Sequence, residues 1–158
     1  MKRFLTPLLL GLALLAPLPA AAQNAEADNM RILREKMMGD KKLIVAANMA
    51  LTDAESNAFW PIYDAYQAEL QKINEQLGTI IADYARMHNA GKLTDARARA
   101  LMDRYLGAEE AEVRLKRTFA KRLDKVLPGV KVTRYLQIEN KIRAIVKYEL
   151  AGEVPLAK

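Results

Sequence analysis

An all-α fold is predicted by three features of the sequence. Apolar residues return at spacings of three and four along nearly the whole chain, which is the helical period. Thr52 and Thr94 stand just before the two longest periodic runs, where a helix N-cap belongs. Beyond the N-terminus, the breakers Gly91 and Pro128-Gly129 fall where one run ends and the next begins. The expected architecture is a long antiparallel helical hairpin, about residues 53–89 and 95–126. Flanking helices before and after it make four helices in the mature chain.

The first 22 residues read differently from the rest. Lys2 and Arg3 make a basic start, Phe4 to Leu18 is apolar, and Ala20-Ala21-Ala22 offers a small-residue cleavage site before Gln23. This is the layout of a secretory signal peptide, and its apolar part is shorter than the ~20 residues of a membrane span. The mature chain, residues 23–158, is expected to be an exported single helical domain, frayed at 23–26 and 152–158. The sequence holds no Cys, so disulfides cannot staple it and apolar burial has to supply its stability.

Residues 27–49 read as the first helix, through Met30, Leu33, Met37 and Ile44, with Gly39-Asp40 as a weak point. The next helix opens on Thr52 and Glu55, the T-x-x-E capping box, with Asp53 at the positive end of the helix dipole. Phe59, Tyr66, Ile73, Ile80 and Met87 then recur every seven residues. Tyr63, Leu70, Leu77 and Tyr84 fill the alternate rows of the same coiled-coil seam. Pro61 removes one helical hydrogen bond and crowds the carbonyl of Asn57. The seam keeps its phase across it, so a kink is expected and not a break. Gly91 is placed to end the helix in a left-handed cap.

Thr94 caps the third helix, whose seam is Leu101, Tyr105, Ala108, Leu115, Phe119 and Val126, flanked by Met102 and Leu123. Pro128-Gly129 is expected to stop or bend it. The two rods, roughly 55 and 48 Å long at 1.5 Å per residue, are joined by a few residues and so should lie antiparallel. The last helix, about Val130 to Leu150, carries a wide apolar face: Val132, Tyr135, Leu136, Ile138, Ile142, Ile145 and Val146. Leu-Thr-Asp-Ala occurs at both 51–54 and 93–96, and convergent capping accounts for the repeat more simply than duplication.

Enzymatic chemistry finds few residues to work with. The single Ser, Ser56, and the single His, His88, fall on one rod about 48 Å apart, too far for a nucleophile and its base. No Glu-x-x-His motif precedes His88, and the chain is read as non-enzymatic with no cofactor and no metal. Glu109, Glu110 and Glu112 form an acidic knot; pairing with Lys or Arg of a neighbouring helix explains it better than a hard-cation site. The Met residues fit seam filling better than copper binding.

Charge is the more telling feature. Residues 97–147 hold 14 Lys and Arg against 6 Asp and Glu, whereas residues 23–96 hold 8 against 11. Such a basic half is either a plain solvated surface or an attractive one for anionic partners: acidic protein segments, headgroups or polyanions. The expected export argues against nucleic acid. Arg114, Arg117, Lys121 and Arg122 are the candidate capture residues, with Trp60, Met87 and Met102 as candidate apolar contacts beside the seams. Two long amphipathic helices are compatible with a homodimer, and contact with a membrane surface without insertion is compatible with the charge.

The string MALTDAESNAFWPIYDAYQAEL, followed by a helical hairpin and a further helix after Leu127-Pro128, resembles the Spy/CpxP family of periplasmic proteins with LTxxQ motifs. The likeness spans roughly residues 40–147 in pattern and is specific at Leu51-Thr52-Asp53-Ala54. Glu55 stands where the motif has Gln, and Leu127-Pro128-Gly129-Val130-Lys131 stands where the second LTPEQ-like string belongs. The resemblance implies a bent four-helix hairpin, able to pair into a curved cradle. It also implies an ATP-independent chaperone or envelope-stress adaptor that binds unfolded or aggregation-prone proteins. The alternatives it carries are a dedicated partner of a sensor-kinase ectodomain and a metal-responsive protein.

Overall fold

The computed structural model describes residues 41–157; the signal-peptide segment, residues 23–26 and the first part of the helix expected from residue 27 lie outside the described residues. Four helices follow one another: α1, described over 41–49; α2, Asp53–Asn89; α3, Asp95–Leu123; and α4, Gly129–Glu153. No strand occurs among the described residues. The all-α fold with a long α2/α3 hairpin is therefore present.

Local chemistry explains each boundary. Thr52 accepts from the Glu55 amide at 3.3 Å while the Glu55 carboxylate accepts from the Thr52 amide at 2.8 Å, so the capping box closes in both directions. Thr94 does only half of this: it accepts from the Arg97 amide, and Arg97 has no carboxylate to return. Gly91 has φ +61°, the left-handed region where a Cβ is strained. Its amide donates to the His88 carbonyl at 3.0 Å and the Lys92 amide to Met87 at 2.9 Å. Those two bonds are a Schellman ending, which turns the chain back within residues 90–94.

Pro61 lies inside α2, and the helix is continuous across it. The third helix stops earlier than its seam suggested, at Leu123 and not 126. Pro128 is the reason: it disfavours helical geometry at Leu127. The chain makes a short turn, in which the Val126 and Leu127 amides both donate to Leu123 at 2.9 Å. Pro128 then becomes the N-cap position of α4 without a side-chain cap. At the other end α4 persists to Glu153, and one hydrogen bond from α2 reaches the tail beyond it. The Tyr84 hydroxyl donates to the Pro155 carbonyl at 2.7 Å.

The core is concentrated at the end of the hairpin away from its turn. Val45 and Met49 of α1, Phe59, Tyr63, Tyr66 and Leu70 of α2, Phe119 and Leu123 of α3, Leu127, and Val132 and Tyr135 of α4 pack as one cluster. Its centre is aromatic and edge-to-face: Phe59 on Tyr135 at 5.3 Å between ring centroids, and Tyr66 on Phe119 at 5.3 Å. Towards the turn the hairpin continues as a narrower seam, with Ile73, Ile80, Leu101 and Ala108 buried. Tyr105, expected in that seam, is 44% exposed.

Two outcomes test this account. Thr52→Ala removes a cap that is closed in both directions and should cost about 1 kcal/mol by chemical denaturation. The Tyr66 hydroxyl is buried without a hydrogen-bond partner among the described residues. Tyr66→Phe should therefore leave stability unchanged or raise it, because it deletes a desolvated polar group and keeps the ring.

Candidate functional site

Ser56 and His88 are not brought together. Ser56 accepts from the Trp60 indole N–H at 2.9 Å near the start of α2. His88 sits at the far end of that helix, beside Asn89 and tilted against the Tyr84 ring. Among the described residues no three His, Cys, Asp or Glu side chains are grouped to hold a metal. No helix there is long and apolar enough to cross a membrane.

The acidic knot is divided among cations of two helices. Lys147 of α4 reaches Glu109 at 2.8 Å, and Arg114 reaches Glu110 at 3.3 Å along the surface of α3. Glu112 is buried on the core side and receives the Arg143 guanidinium through both Nε and Nη2. Arg143 also donates to Asn74 of α2 at 2.6 Å. Lys116 brings its ammonium to 2.6 Å of the other Glu112 oxygen, a charge contact poorly angled for a hydrogen bond. Burial alone would push the Glu112 carboxyl up. Hydrogen bonds and charge from Arg143, joined by the charge of Lys116, outweigh it and hold the group below its ordinary 4.5.

A second buried pair lies nearer the aromatic core. Lys41 of α1 donates to Glu139 of α4 at 2.5 Å and to Gln67 of α2 at 2.9 Å. Tyr63, Tyr66 and Tyr135 are all held protonated by this surrounding, first by burial and then by the Glu139 charge; Tyr63 is pushed up to about 12. Glu55 of the capping box completes the set by receiving Lys131 of α4 at 2.5 Å. The ion pairs Lys131–Glu55, Glu139–Lys41, Arg143–Glu112 and Lys147–Glu109 thus tie α4 to each of the other helices.

The four candidate capture cations are all on α3. Arg114, Arg117, Lys121 and Arg122 all reach solvent. By helical phase Arg114, Arg117 and Lys121 share the outward face, opposite the buried Leu101, Ala108 and Phe119. Arg122 turns aside, and its guanidinium lies 4.6 Å above the Phe119 ring. Met102, 54% exposed, falls on the outward face as well. It is joined by Leu106 and Val113, 50% and 49% exposed, which the sequence reading had not singled out. Their spacing from Met102, four and eleven residues, was the available signal: it puts all three in one phase, distinct from the seam.

Trp60 and Met87 do not join this face. Trp60 packs edge-on against Phe59 and Tyr63, with the Lys42 ammonium 5.1 Å from its ring. Met87 is half-buried, 27 residues further along α2 and so about 40 Å away, next to the hairpin turn. No family model, no curated protein and no solved structure matches this chain.

The Glu112 site makes a pH-dependent prediction. A carboxyl held below its unfolded value contributes stability that is complete above about 4.5 and is lost as pH falls through the folded value. Arg143→Met leaves Glu112 buried with one weak partner and should cost about 3 kcal/mol or more at neutral pH. That difference between wild type and variant should shrink as the pH of denaturation is lowered from 4.5 through the depressed value of the wild-type carboxyl, below which Glu112 is neutralised in both.

Proposed function

We propose that this chain is an ATP-independent binding protein of the periplasm that holds unfolded or acidic protein segments on the outward face of α3. The observation that carries the reading is the face itself. Met102, Leu106 and Val113 are each about half exposed in one row of α3, with Arg117 one turn beyond Val113 and Lys121 one turn further; Glu110, paired with Arg114, stands between Leu106 and Val113. Exposed apolar side chains in one row, edged by cations, are the pattern of a surface that meets a partner. The signal-peptide layout of residues 1–22 and the likeness of residues 51–54 to the LTxxQ motif support the periplasmic chaperone class.

The two kinds of residue would act in sequence. Arg117 and Lys121 attract acidic segments over roughly a Debye length, about 8 Å at physiological ionic strength. The apolar row then covers exposed side chains of the client and slows its association with other clients. Nothing in this scheme consumes a nucleotide, and its strength should fall with salt.

Aggregation of an acidic, heat-labile client, followed by light scattering, tests the proposal. Equimolar wild-type protein should suppress the signal. Arg117→Glu with Lys121→Glu should lose most of that effect at low salt. Leu106→Ser with Val113→Ser should lose it at all salt concentrations, with circular dichroism unchanged for both variants. A wild-type protein without effect, or indifference to both pairs of changes, sinks the reading.

A further inference from the structure

The last helix has apolar residues on two faces. One is used within the bundle, through Val132 and Tyr135. The other adjoins it and carries Ile138, itself partly packed on the core, with Ile142 and Ile145, at spacings of four and then three, the d-a-d register of a coiled-coil seam. Ile138 and Ile142 are half-buried, and Ile145 is 51% exposed. Opposite them stands Ile44 of α1, also exposed, and between the two helices runs a groove of about 470 Å³.

The charges beside that seam are specific in sign and spacing. Arg134 and Lys141 line the groove, and no Asp or Glu does. Neither cation makes an ion pair with another described residue. They are seven residues apart, two helical turns, so they lie on one edge about 10 Å from each other. In the register set by the isoleucines both occupy g positions, where charges choose the partner of a coiled coil.

We propose that the groove between α1 and α4 docks an amphipathic helix of another protein, one whose apolar a/d stripe is edged by carboxylates at heptad spacing. Ile138, Ile142 and Ile145 supply the knobs and holes for that stripe. Arg134 and Lys141 each meet one carboxylate, two turns apart. A single-headed amphiphile such as a fatty acid would satisfy one cation and leave the second without a partner. A second copy of this chain fits poorly. Antiparallel self-pairing of α4 would set Arg134 and Lys141 against the same cations, and parallel pairing would need Glu139, which is already buried on Lys41. This surface is separate from the α3 face, and the inference stands or falls without it.

Fluorescence anisotropy on the full chain tests it, with labelled synthetic helical peptides carrying Leu at a and d. One peptide has Glu at e and g, and the other has Lys there. The Glu peptide should bind and the Lys peptide should not. Arg134→Glu with Lys141→Glu should reverse that preference, a gain that misfolding cannot mimic. Ile145→Ser should weaken the Glu peptide by about tenfold, the scale of one buried apolar side chain. Arg117→Glu with Lys121→Glu on α3 should leave it unchanged. Equal binding of both peptides, silence of the groove variants, or loss through the α3 pair alone overturns the proposal. Saturable binding of dodecanoate by a protein that ignores the Glu peptide overturns it in favour of an amphiphile site.

Discussion

Phe59, Tyr63, Tyr66 and Leu70 of α2 form the surface on which every other described helix finds its place. Their spacing of four, three and four puts them in one row, and the row is wide enough to be shared. Tyr135 of α4 meets three of these rings edge-on, and Phe119 of α3 meets Tyr66. Val45 and Met49 of α1 close the remaining side. Large aromatic rings bury much area per residue, which suits a chain that has no disulfide and must hold four helices with one compact cluster. The cluster can form only if α2 runs unbroken past Pro61 and starts in register at Thr52, so the capping box and the proline's tolerated position are conditions for the whole fold.

Charge then decides how α4 lies on that cluster. Full apolar burial on α4 is confined to Val132 and Tyr135 near its start, with Leu136 and Ile138 partly packed on the cluster, and further along its inward side come Glu139, Arg143 and Lys147. Burying a charge is costly unless a partner satisfies it, so each of these side chains accepts only a narrow range of helix positions. An apolar stripe would tolerate sliding by a turn; Glu139 on Lys41 and Arg143 on Glu112 and Asn74 do not. The same arrangement leaves the adjoining side of α4 to line a groove, through the isoleucines and two cations. Two surfaces with matching chemistry, apolar rows edged by basic residues, are thus left open on different helices.

Much of this was legible in the residues. The helical period, Thr52 with Glu55, Gly91 and the proline at 128 set the four helices and the hairpin turn, because each acts through bonds within a few residues of chain. The acidic knot around Glu112 was legible as a structural pair in kind, though not in partner: nothing local connects residue 112 with residue 143. The candidate face was half legible. Arg114, Arg117 and Lys121 were marked by charge, whereas Leu106 and Val113 were passed over because their phase was outvoted by the stronger seam of the same helix. Trp60 is half-buried, packed on the aromatic cluster through Phe59 and Tyr63 with the Lys42 ammonium over its ring.

Sequence by itself determined what short-range physics controls: which segments are helical, where they stop, and that the long pair must fold back on each other. Tertiary structure alone decided which of two competing apolar rows on α3 and α4 is buried, which cation answers which carboxylate, and therefore which residues remain at the surface. The reason is geometric. A helix with apolar residues in two phases satisfies its own hydrogen bonds equally well with either phase inward, and only the packed neighbours, here the aromatic row of α2 and the buried charges of α4, break the tie.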